Sequence, residues 1–566
     1  MKVLRLLSLP LAAALILFSN ATVIASNATT ITGRDALVSV GSPPGTFPRN
    51  KQNEPALAVD ASHPNILVAG SNDEIDLSPC QGSTCSFTAG VGVSGVYFST
   101  DSGKTWTQPT YSGWSARDGI SGKGPIGTVP NYYENGLVSD GDPAVSFGPR
   151  RGADGKFSWA NGSRLYYANL TSNFSNVRID EAFAGYEAVA VSSTDDVTAA
   201  AAGVQSAWTK PVLVSQQSQT TFSDKEQIWA DNAASSPYFG NVYLCWANFR
   251  GNGAGSPAPL EAAVSSDGGA TWTQHPLSSA ANNSQKNPAD GCTVRTDSKG
   301  TAYVFGVATD NTGSFEVMSI STDGGHNWST PRPVVGPVTQ PGIYDPVTGR
   351  PEIDGIAGAR SDLAPAPSVD IANGAPSGAL ATDRIVMSYV SGDISKPHAY
   401  FTDSADGGAT WSPPQAVEGR SDRGYYTAPA ISPTGQEAWV VYTSFTTAYR
   451  TATTATRGLV GVVLHGTLAK GAWTFSQVYR GPVGDPRGSS QNNLRAEFLG
   501  DYIYAVATPT YGAAVWTDVR HAADCPTVDE WRMSLQTPIP GIKPAPLQVC
   551  DPGFGNSDIY SWTSAK

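Results

Sequence analysis

The sequence predicts an all-β protein built from repeated units of four strands. An eight-residue motif, Ser-x-Asp-x-Gly-x-(Thr/Asn)-Trp, occurs at residues 99–106, 265–272, 321–328 and 404–411. Each copy lies between two short runs of β-type residues, as expected for a turn that joins paired strands. The composition agrees, because the 566 residues include 59 Gly and 41 Pro, 40% are hydrophobic and only 15% are charged. This is the turn-rich profile of a folded β protein rather than of a disordered chain.

The residue types of the motif suit a tight turn. A carboxylate can accept hydrogen bonds from the N–H groups of the turn, a glycine can adopt a positive φ, and a tryptophan can cover the core beneath. The four aspartates of the motif are therefore predicted to be structural, namely Asp101, Asp267, Asp323 and Asp406.

A longer repeat becomes visible when the motifs are aligned. Each unit begins with a polar residue near Pro or a small residue and continues through four strand-like runs, with the motif between the third and the fourth. Seven units can be aligned, and their first strands are expected at residues 54–59, 142–147, 226–229, 290–294, 366–369, 428–431 and 498–502. The motif is eroded in unit two, where an Ala-rich insert separates Asp195 from Trp208, and in unit six.

The eight-residue motif is the Asp-box, or BNR repeat, and the chain resembles the sialidase-like β-propellers that contain it. The resemblance implies a propeller of four-stranded antiparallel blades. Seven units favour seven blades, whereas the sialidases that the chain resembles have six, so six is the alternative count. A propeller closes its ring so that strand edges are paired. The strand expected at residues 36–40 is therefore predicted to complete the last blade, and residues 26–566 to form one propeller domain.

The first 25 residues have the features of a secretory signal peptide. Lys2 and Arg5 precede an apolar run at residues 6–18, and small residues lead to a cleavage site near Ala25. The sequence thus predicts a secreted, extracellular protein. The apolar run has 13 residues, and no later run approaches the roughly 20 that a transmembrane helix needs, so no membrane span is expected.

The charge of the chain excludes some partners. The formal net charge is −12, and it becomes −14 when Lys2 and Arg5 are removed with the signal peptide. An acidic protein repels phosphate groups, which argues against nucleic acid as a partner and mildly against an anionic membrane. A local basic pocket for an acidic sugar remains compatible with this charge.

Six cysteines in an exported chain indicate disulfides. The alternative is a metal site, but the sequence has no Cys-x-x-Cys motif and no Cys/His cluster, so no metal or cofactor is expected. The spacing along the chain favours three local pairs: Cys80 with Cys85, Cys245 with Cys292, and Cys525 with Cys550.

Functional residues are expected on the face opposite the turn motifs. That face has the beginnings of the inner strands around the central channel, and it also has the longest loops, at residues 72–92, 111–141, 335–363 and 520–558. Long loops on a rigid scaffold are frequent positions for binding residues. The alternative is that these loops only cover the channel.

Polar residues near the inner-strand starts are expected to converge on the channel. Carboxylates that share a partly buried site cannot all ionise freely, which provides the acid and the base that glycosidic cleavage requires. For each residue the alternative is a structural role in capping its strand or bonding a neighbouring blade. The residues in question are Glu54, Asp142, Asp224, Lys225, Glu226, Asp290, Arg360, Asp362, Arg423, Tyr425, Tyr426, Arg495 and Glu497.

Known sialidases hold the substrate carboxylate with an arginine triad, attack with a tyrosine paired with a glutamate, and use an aspartate as acid/base. The resemblance therefore implies Tyr426, or its neighbour Tyr425, as the nucleophile and Glu226 as its partner. It implies Asp73, or Asp76, as the proton donor.

The first arginine of the triad is missing, because the first inner strand begins Asn53-Glu54-Pro55 where sialidases have Arg-Ile-Pro. The substrate-binding candidates are then Glu54, Asp142, Arg360, Arg423, Arg495 and Glu497.

The predicted function is that of a secreted, monomeric, sialidase-like glycoside hydrolase that acts on a glycan at the mouth of the channel. The alternative is a non-catalytic propeller that binds a glycan or a protein, because one fold serves many functions. An enzyme needs two carboxylates, or a tyrosine and a carboxylate, around one open pocket, whereas a binding module does not. A metal-dependent hydrolase or lyase lacks the necessary ligand spacing.

Overall fold

The computed structural model describes residues 32–175, 187–215, 221–250, 259–278, 287–310, 312–354 and 359–566. The signal peptide predicted at residues 1–25 lies outside the described residues. Among the described residues, no helix is long and apolar enough to cross a membrane.

The regular secondary structure of the described residues is mostly strand. The strands up to the third blade are β1 (Arg34–Leu37), β2 (Gln52–Val59), β3 (Leu67–Asp73), β4 (Ser94–Ser99), β5 (Tyr111–Ser115), β6 (Gly122–Ile126), β7 (Leu137–Arg151), β8 (Phe157–Asn173), β9 (Ala188–Thr194), β10 (Val212–Leu213), β11 (Thr221–Ala230), β12 (Val242–Arg250), β13 (Leu260–Ser265) and β14 (Thr273–Pro276).

The later strands are β15 (Asn287–Thr296), β16 (Ala302–Asp310), β17 (Gly313–Ser321), β18 (Arg332–Val338), β19 (Ile343–Asp345), β20 (Arg350–Glu352), β21 (Ser368–Ile371), β22 (Ile385–Ser391), β23 (His398–Ser404), β24 (Gln415–Ala416), β25 (Arg423–Ile431), β26 (Glu437–Phe445), β27 (Leu459–Ala469), β28 (Ala472–Arg480), β29 (Tyr504–Ala507), β30 (Gly512–Asp518) and β31 (Asp558–Thr563). Within the described segments, the α-helices are α1 (Val197–Ala201), α2 (Pro526–Ser534) and α3 (Pro546–Val549).

These strands pair into seven antiparallel sheets, which confirms the predicted all-β propeller of seven blades. The blades are β2-β3-β4, β7-β8-β9-β10, β11-β12-β13-β14, β15-β16-β17-β18, β21-β22-β23-β24, β25-β26-β27-β28 and β29-β30-β31-β1. The inner strands contact one another in the order β2, β7, β11, β15, β21, β25 and β29, and β29 contacts β2, so the ring is closed. Two hairpins, β5-β6 and β19-β20, lie outside the blades.

Two blades differ from the regular pattern. The first blade has three strands. At the position of a fourth strand, the described residues form a single antiparallel bridge between Phe98 and Thr107. In the last blade β1 is the outermost strand, and it begins and ends earlier than the expected residues 36–40. The inner strand of this blade is β29 (Tyr504–Ala507), so its expected position at residues 498–502 is wrong. Those residues form the approach to the strand instead.

The turn motifs are held by their aspartates. Oδ1 of Asp267 accepts hydrogen bonds from the N–H groups of Ala270 (3.0 Å) and Thr271 (2.9 Å), and Oδ2 accepts one from the Thr271 hydroxyl (2.6 Å). The Ser265 hydroxyl donates to Oδ1 of the same aspartate. Gly269, the glycine of the motif, has a φ of 88°, a value that side chains rarely tolerate.

The tryptophans of the motifs pack against the preceding blade. Trp328 of blade four contacts Tyr243 of blade three at 6.4 Å between ring centroids, edge to face. Trp411 of blade five contacts Phe305 of blade four in the same way at 6.2 Å. Such aromatic pairs contribute about 0.5–1.5 kcal/mol each beyond the burial of their area. The motif therefore stabilises both its own turn and the contact between blades.

All three predicted disulfides are present. Cys80 is bonded to Cys85, Cys245 to Cys292 and Cys525 to Cys550, with Cα separations of 4.3, 6.2 and 5.0 Å. The second bond joins β12 of blade three to β15 of blade four, and it covalently links two blades.

Candidate functional site at the channel mouth

The starts of the inner strands and the turn motifs lie on opposite faces of the propeller. In each blade the third strand is antiparallel to the second and therefore parallel to the first. The third strand ends at the turn motif, so the first strand also ends on that face and begins on the other. We call the two ends of the channel the upper mouth, where inner strands begin, and the lower mouth, where they end.

A recurrent bulge shapes the upper mouth. The pairing register skips two residues near the start of five inner strands: between Asn53 and Ala56, Gly141 and Ala144, Asp224 and Gln227, Asp290 and Thr293, and Gly424 and Thr427. In the first three bulges the first of the two skipped residues has a positive φ: 53° for Glu54, 50° for Asp142 and 59° for Lys225. Such a backbone is strained for residues other than glycine, and strain of this kind is concentrated at functional sites.

The bulge corrects the sequence alignment of the third blade. Lys225, and not Glu226, occupies the position equivalent to Glu54 and Asp142, since each of these three is the first of the two residues that the pairing skips. A bulge adds one residue to a strand, so the alternation of side chains between the two faces of the strand is offset by one residue beyond the bulge.

Lys225 is the centre of charge at the upper mouth. Its Nζ lies 2.9 Å from Asp501, 3.2 Å from Asp142 and 3.4 Å from Glu54. The side chain is 10% exposed. One ammonium group is thus shared by carboxylates from blades seven, two and one.

Asp501 is the best-paired carboxylate of this group. Arg360 donates to it twice, from Nε at 2.9 Å and from Nη2 at 2.6 Å, and the Tyr426 hydroxyl donates at 3.0 Å. Burial alone would raise the pKa of this carboxyl, but the charges of Arg360 and Lys225 hold the pKa well below 3.8. Asp501 is therefore ionised throughout the neutral range.

Glu54 has the opposite tendency. Its Oε2 accepts from the Asn72 side chain at 2.7 Å, and its Oε1 accepts from the backbone N–H of Asp501 at 2.9 Å. Burial and the neighbouring charge of Asp142 raise its pKa to about 8, against the opposing influence of Lys225. Near pH 7 this carboxyl retains its proton.

Glu226 is buried and has no hydrogen-bond partner for either carboxylate oxygen within the described residues. Burial and then the charge of Asp142 raise its pKa well above 4.5, which favours the protonated form. Glu226 lines a cavity of about 50 Å³ together with Lys225, Tyr426 and Asp501.

Tyr426 lies on the same cavity as Glu226, but its hydroxyl donates to Asp501 and to the Arg360 carbonyl rather than to Glu226. Burial, and then the charge of Asp501, raise the pKa of its phenol well above 10. The Tyr425 hydroxyl also donates to the Arg360 carbonyl, at 2.9 Å. The two tyrosines therefore position the Arg360 segment.

Asp73 lies away from this cavity. Its carboxylate accepts from the side chains of Gln52, Tyr97 and Gln108, and from the backbone N–H of Ile75, where it caps a short helical turn. Asp76 is likewise bound by Arg117, Thr128 and the N–H of Gly127. Both alternatives for the proton donor are thus engaged in holding the loop after β3.

Three further predicted residues do not reach the cavity. Arg423 donates to Asp354 at 2.6 Å and to two backbone carbonyls, and Arg495 is exposed on the surface. Glu497 is fully buried, and burial raises its pKa well above 4.5, against the charges of Arg532 and Arg457. Of the predicted arginine cluster, Arg360 alone contacts the carboxylates at the mouth.

Asp501 was missed by the sequence analysis. It precedes the inner strand β29 by three residues, much as Glu54 precedes the regular part of β2, which resumes at Ala56. An alignment on Tyr504–Ala507, rather than on residues 498–502, would have indicated it. The sequence pattern indicates Glu497 instead of Asp501 because it places the inner strand at residues 498–502, several residues before its actual position at Tyr504–Ala507.

One cavity at the mouth thus has Glu226, whose pKa is raised by burial, and Asp501, whose pKa is lowered by Arg360 and Lys225. The charge of Lys225 influences six carboxyl groups in the vicinity: Glu54, Asp142, Asp224, Glu226, Asp290 and Asp501. Among the described residues, no group of three or more His, Cys, Asp or Glu is arranged to hold a metal ion.

Comparison with known proteins yields remote structural similarity only. No family model matches the chain, and no curated protein matches it. Solved structures with a similar arrangement include a Hadza microbial sialidase, with 15% identity, a TM-score of 0.39, and coverage of 69% of this chain and 63% of that one. They also include the intramolecular trans-sialidase of Ruminococcus gnavus, with 13% identity, a TM-score of 0.38 and coverage of 72% and 94%.

A third similar structure is the α-L-arabinofuranosidase Arb93A of Fusarium graminearum, with 12% identity, a TM-score of 0.36 and coverage of 81% and 98%. The chain spans less than two thirds of the length of the Hadza sialidase. At these TM-scores the similarities say nothing about activity, and the propeller fold follows from the strand pairing of the chain itself.

Proposed function

We propose that this protein is a glycoside hydrolase that cleaves a neutral glycan at the upper mouth of the channel. The observation that carries the proposal is that Glu226 and Asp501 line the same cavity and have pKa values shifted in opposite directions, upward for Glu226 and downward for Asp501. A pair of carboxyl groups whose environments separate their pKa values is the usual requirement for glycosidic cleavage.

Glu226 acts as the general acid in this proposal. Its proton passes to the glycosidic oxygen as the bond between that oxygen and the anomeric carbon breaks. Its oxygens make no hydrogen bond within the described residues, so no protein group competes for the proton.

Asp501 supplies the second carboxylate. Facing the anomeric carbon, it stabilises the positive charge that develops there. A water molecule then adds to that carbon and transfers a proton to the Glu226 carboxylate, which restores the acid. Arg360 and Tyr426 hold its two oxygens in position, and Lys225 keeps it ionised. A carboxylate fits this role better than the Tyr426 phenol, whose pKa is raised well above 10 by burial and by Asp501.

The charges at the mouth support a neutral substrate. A sugar carboxylate requires free cations, but Arg360 is occupied by Asp501 and Arg423 by Asp354, and Arg495 is on the surface away from the cavity. Lys225 is likewise paired with Asp501 and Asp142, so it is not free to hold a sugar carboxylate.

A panel of aryl glycosides of neutral sugars, together with aryl sialosides, tests the proposal on the purified protein. We expect turnover of at least one neutral glycoside. Asp501→Asn and Glu226→Gln should each lower turnover at least about a hundredfold, the usual scale for lost acid/base assistance. Asp267→Asn, in a turn motif on the opposite face, is the matched control and should retain turnover per folded molecule.

Cleavage of sialosides in preference to neutral glycosides would contradict the assignment of the substrate class. Full turnover in Asp501→Asn or in Glu226→Gln would contradict the assignment of the catalytic pair.

A second candidate function is that of a non-catalytic glycan-binding propeller, and the small size of the cavity favours it. A cavity of about 50 Å³ leaves room for only part of a glycan. Binding of neutral glycans without turnover of any aryl glycoside would favour this candidate over the hydrolase.

We also infer that the chain is exported and that residues 26–566 are the mature propeller domain. The support is the charged and apolar N-terminal segment together with three disulfides, which persist in oxidising compartments. Mass spectrometry of the protein from culture medium should give an N-terminus near Ser26. Retention of the full-length chain inside cells would contradict the inference.

A further inference from the structure

The channel contains a second and larger cavity at its lower mouth. This lower cavity has a volume of about 90 Å³ and is lined by residues from the inner strands, among them Phe147, Trp229, Arg295 and Asp370. It has nearly twice the volume of the upper cavity. None of the residues proposed for catalysis lines it.

The lower cavity is separate from the upper one. Gln227 and Tyr504 line both cavities, and the Gln227 amide donates a hydrogen bond to the Tyr504 hydroxyl across the channel. The two cavities adjoin at this pair, and the lower cavity lies at the ends of the inner strands, on the face that has the turn motifs.

Arg295 provides an unsatisfied donor in the lower cavity. The residue is 8% exposed, and its Nε has no hydrogen-bond partner within the described residues. Its Nη1 donates to the backbone carbonyl of Val294 at 2.7 Å. A buried guanidinium N–H that lacks an acceptor is costly, and a ligand oxygen would remove that cost.

Asp370 provides an acceptor beside this donor. Its Oδ1 lies 3.6 Å from Nε of Arg295, too far for a hydrogen bond, while its Oδ2 accepts from the N–H of Ile431 at 2.9 Å. A hydroxyl group both accepts and donates, so one hydroxyl that approaches both side chains from the cavity could accept from Arg295 and donate to Asp370. A carboxylate ligand would accept from Arg295 but would be repelled by Asp370.

Aromatic and amide groups complete the surroundings. The guanidinium of Arg295 stacks over the ring of Trp229 at 4.5 Å, which fixes its orientation. Asn232 and Asn373, bonded to each other at 2.8 Å, also line the cavity, and the rest of its wall is largely apolar. Few polar groups that converge in a mostly apolar concavity are typical of small-molecule sites.

From this arrangement we propose that the lower cavity is a binding site for a neutral, polyhydroxylated ligand, such as a monosaccharide or the end of a glycan. The ligand places a hydroxyl against both Arg295 and Asp370. This site is independent of the proposed hydrolase activity, because it lies on the opposite face and shares no catalytic residue with the upper cavity.

Isothermal titration of the purified protein with glucose, galactose, arabinose and cellobiose tests the site, with glucuronate as the acidic comparison. We expect at least one neutral sugar to bind, and its affinity to fall at least about tenfold in Arg295→Met and in Asp370→Asn. Asp370→Asn preserves the shape of the side chain, so it remains informative if Arg295→Met folds poorly. Lys299→Met, which removes an exposed cation at the lower end of the same blade, is the control and should bind as the wild type does.

The outcome in Glu226→Gln separates the two cavities. Binding in this variant should equal that of the wild type, whatever the variant does to turnover. Loss of binding in Glu226→Gln would assign the ligand to the upper mouth and overturn the proposal. Absence of binding by every neutral sugar, tighter binding of glucuronate, or wild-type affinity in Arg295→Met and Asp370→Asn would overturn it as well.

Discussion

The carboxylates of the turn motifs and those of the upper mouth lie at opposite ends of the same blades and differ in their protonation. In the turn motif of blade five, hydrogen bonds from the Thr410 side chain and backbone lower the pKa of the exposed Asp406 to about 2. At the upper mouth, burial raises the pKa of Glu226 well above 4.5 and that of Glu54 to about 8.

The difference shows that the surroundings of a carboxyl group, rather than its residue type, decide its role. Backbone N–H groups and water stabilise the charged form in the turns, where the carboxylate organises structure. Burial among other acids favours the neutral form at the mouth, where a retained proton is available for chemistry. Asp501 differs from the other acids at the mouth and favours the charged form, because the ion pairs with Arg360 and Lys225 stabilise its carboxylate in place of water.

The largest expected effect follows from removal of the shared ammonium. Lys225→Met leaves Asp501, Asp142 and Glu54 in a buried site without their common cation, and should lower the free energy of unfolding by about 3–5 kcal/mol at pH 7. The loss should shrink toward pH 5 as the carboxyl groups bind protons. Urea unfolding at both pH values measures it. Lys299→Met, whose side chain is 77% exposed, is the control and should change stability by less than about 0.5 kcal/mol. An equally small change in Lys225→Met would mean that the mouth is hydrated and not organised by this charge.

The next effect concerns the turns. Asp267→Ala leaves the N–H groups of Ala270 and Thr271 without their acceptor, and should lower the free energy of unfolding by about 1–3 kcal/mol. Turnover per folded molecule should not change. Thermal unfolding and an activity assay on the same preparation measure both quantities. A loss of turnover at an unchanged melting temperature would show that the two faces have been assigned the wrong way round.

A smaller effect is expected at Tyr426. Tyr426→Phe removes one of the donors to Asp501 but leaves both bonds from Arg360, so turnover of a neutral aryl glycoside should fall about tenfold. The pKa of the acidic limb of the pH–rate profile should rise, because the ionised form of Asp501 loses a hydrogen bond. A loss of a hundredfold or more without a shift of that limb would instead identify the phenol as the nucleophile.

The smallest expected effect is a change in how steeply the melting temperature depends on pH. The pKa of Glu54 rises from 4.5 to about 8 on folding, so the folded protein binds this proton more tightly than the unfolded chain. Its contribution to stability is full below pH 4.5 and is lost as the pH rises toward about 8. Glu54→Gln should therefore flatten the decline of the melting temperature across this interval. Asp267→Asn should leave the slope unchanged, because hydrogen bonds within the turn lower the pKa of Asp267 and place its titration below the interval. A slope in Glu54→Gln identical to that of the wild type would contradict a protonated Glu54.

The sequence predicted the residues of the site less well than the fold. The turn motif, the seven-unit repeat and the three disulfides depend on residues that are near one another in the chain, so spacing predicts them. Asp501 and Glu54, by contrast, are 447 residues apart and touch because the ring closes. The bulge that places Lys225, rather than Glu226, at the position equivalent to Glu54 and Asp142 also cannot be predicted from the strand pattern.

The sequence by itself determined the blade, since an aspartate, a glycine and a tryptophan at fixed spacing are sufficient to form the turn and to cover the contact with the neighbouring blade. Only the tertiary structure decided which polar residues meet. Arg423 begins β25 and Asp73 ends β3 on the same face as Glu54, yet Arg423 is bound to Asp354 and Asp73 to Gln52, Tyr97 and Gln108. The physical reason is that the pKa and the orientation of a side chain depend on its partners and on its burial, and most of these partners come from other blades.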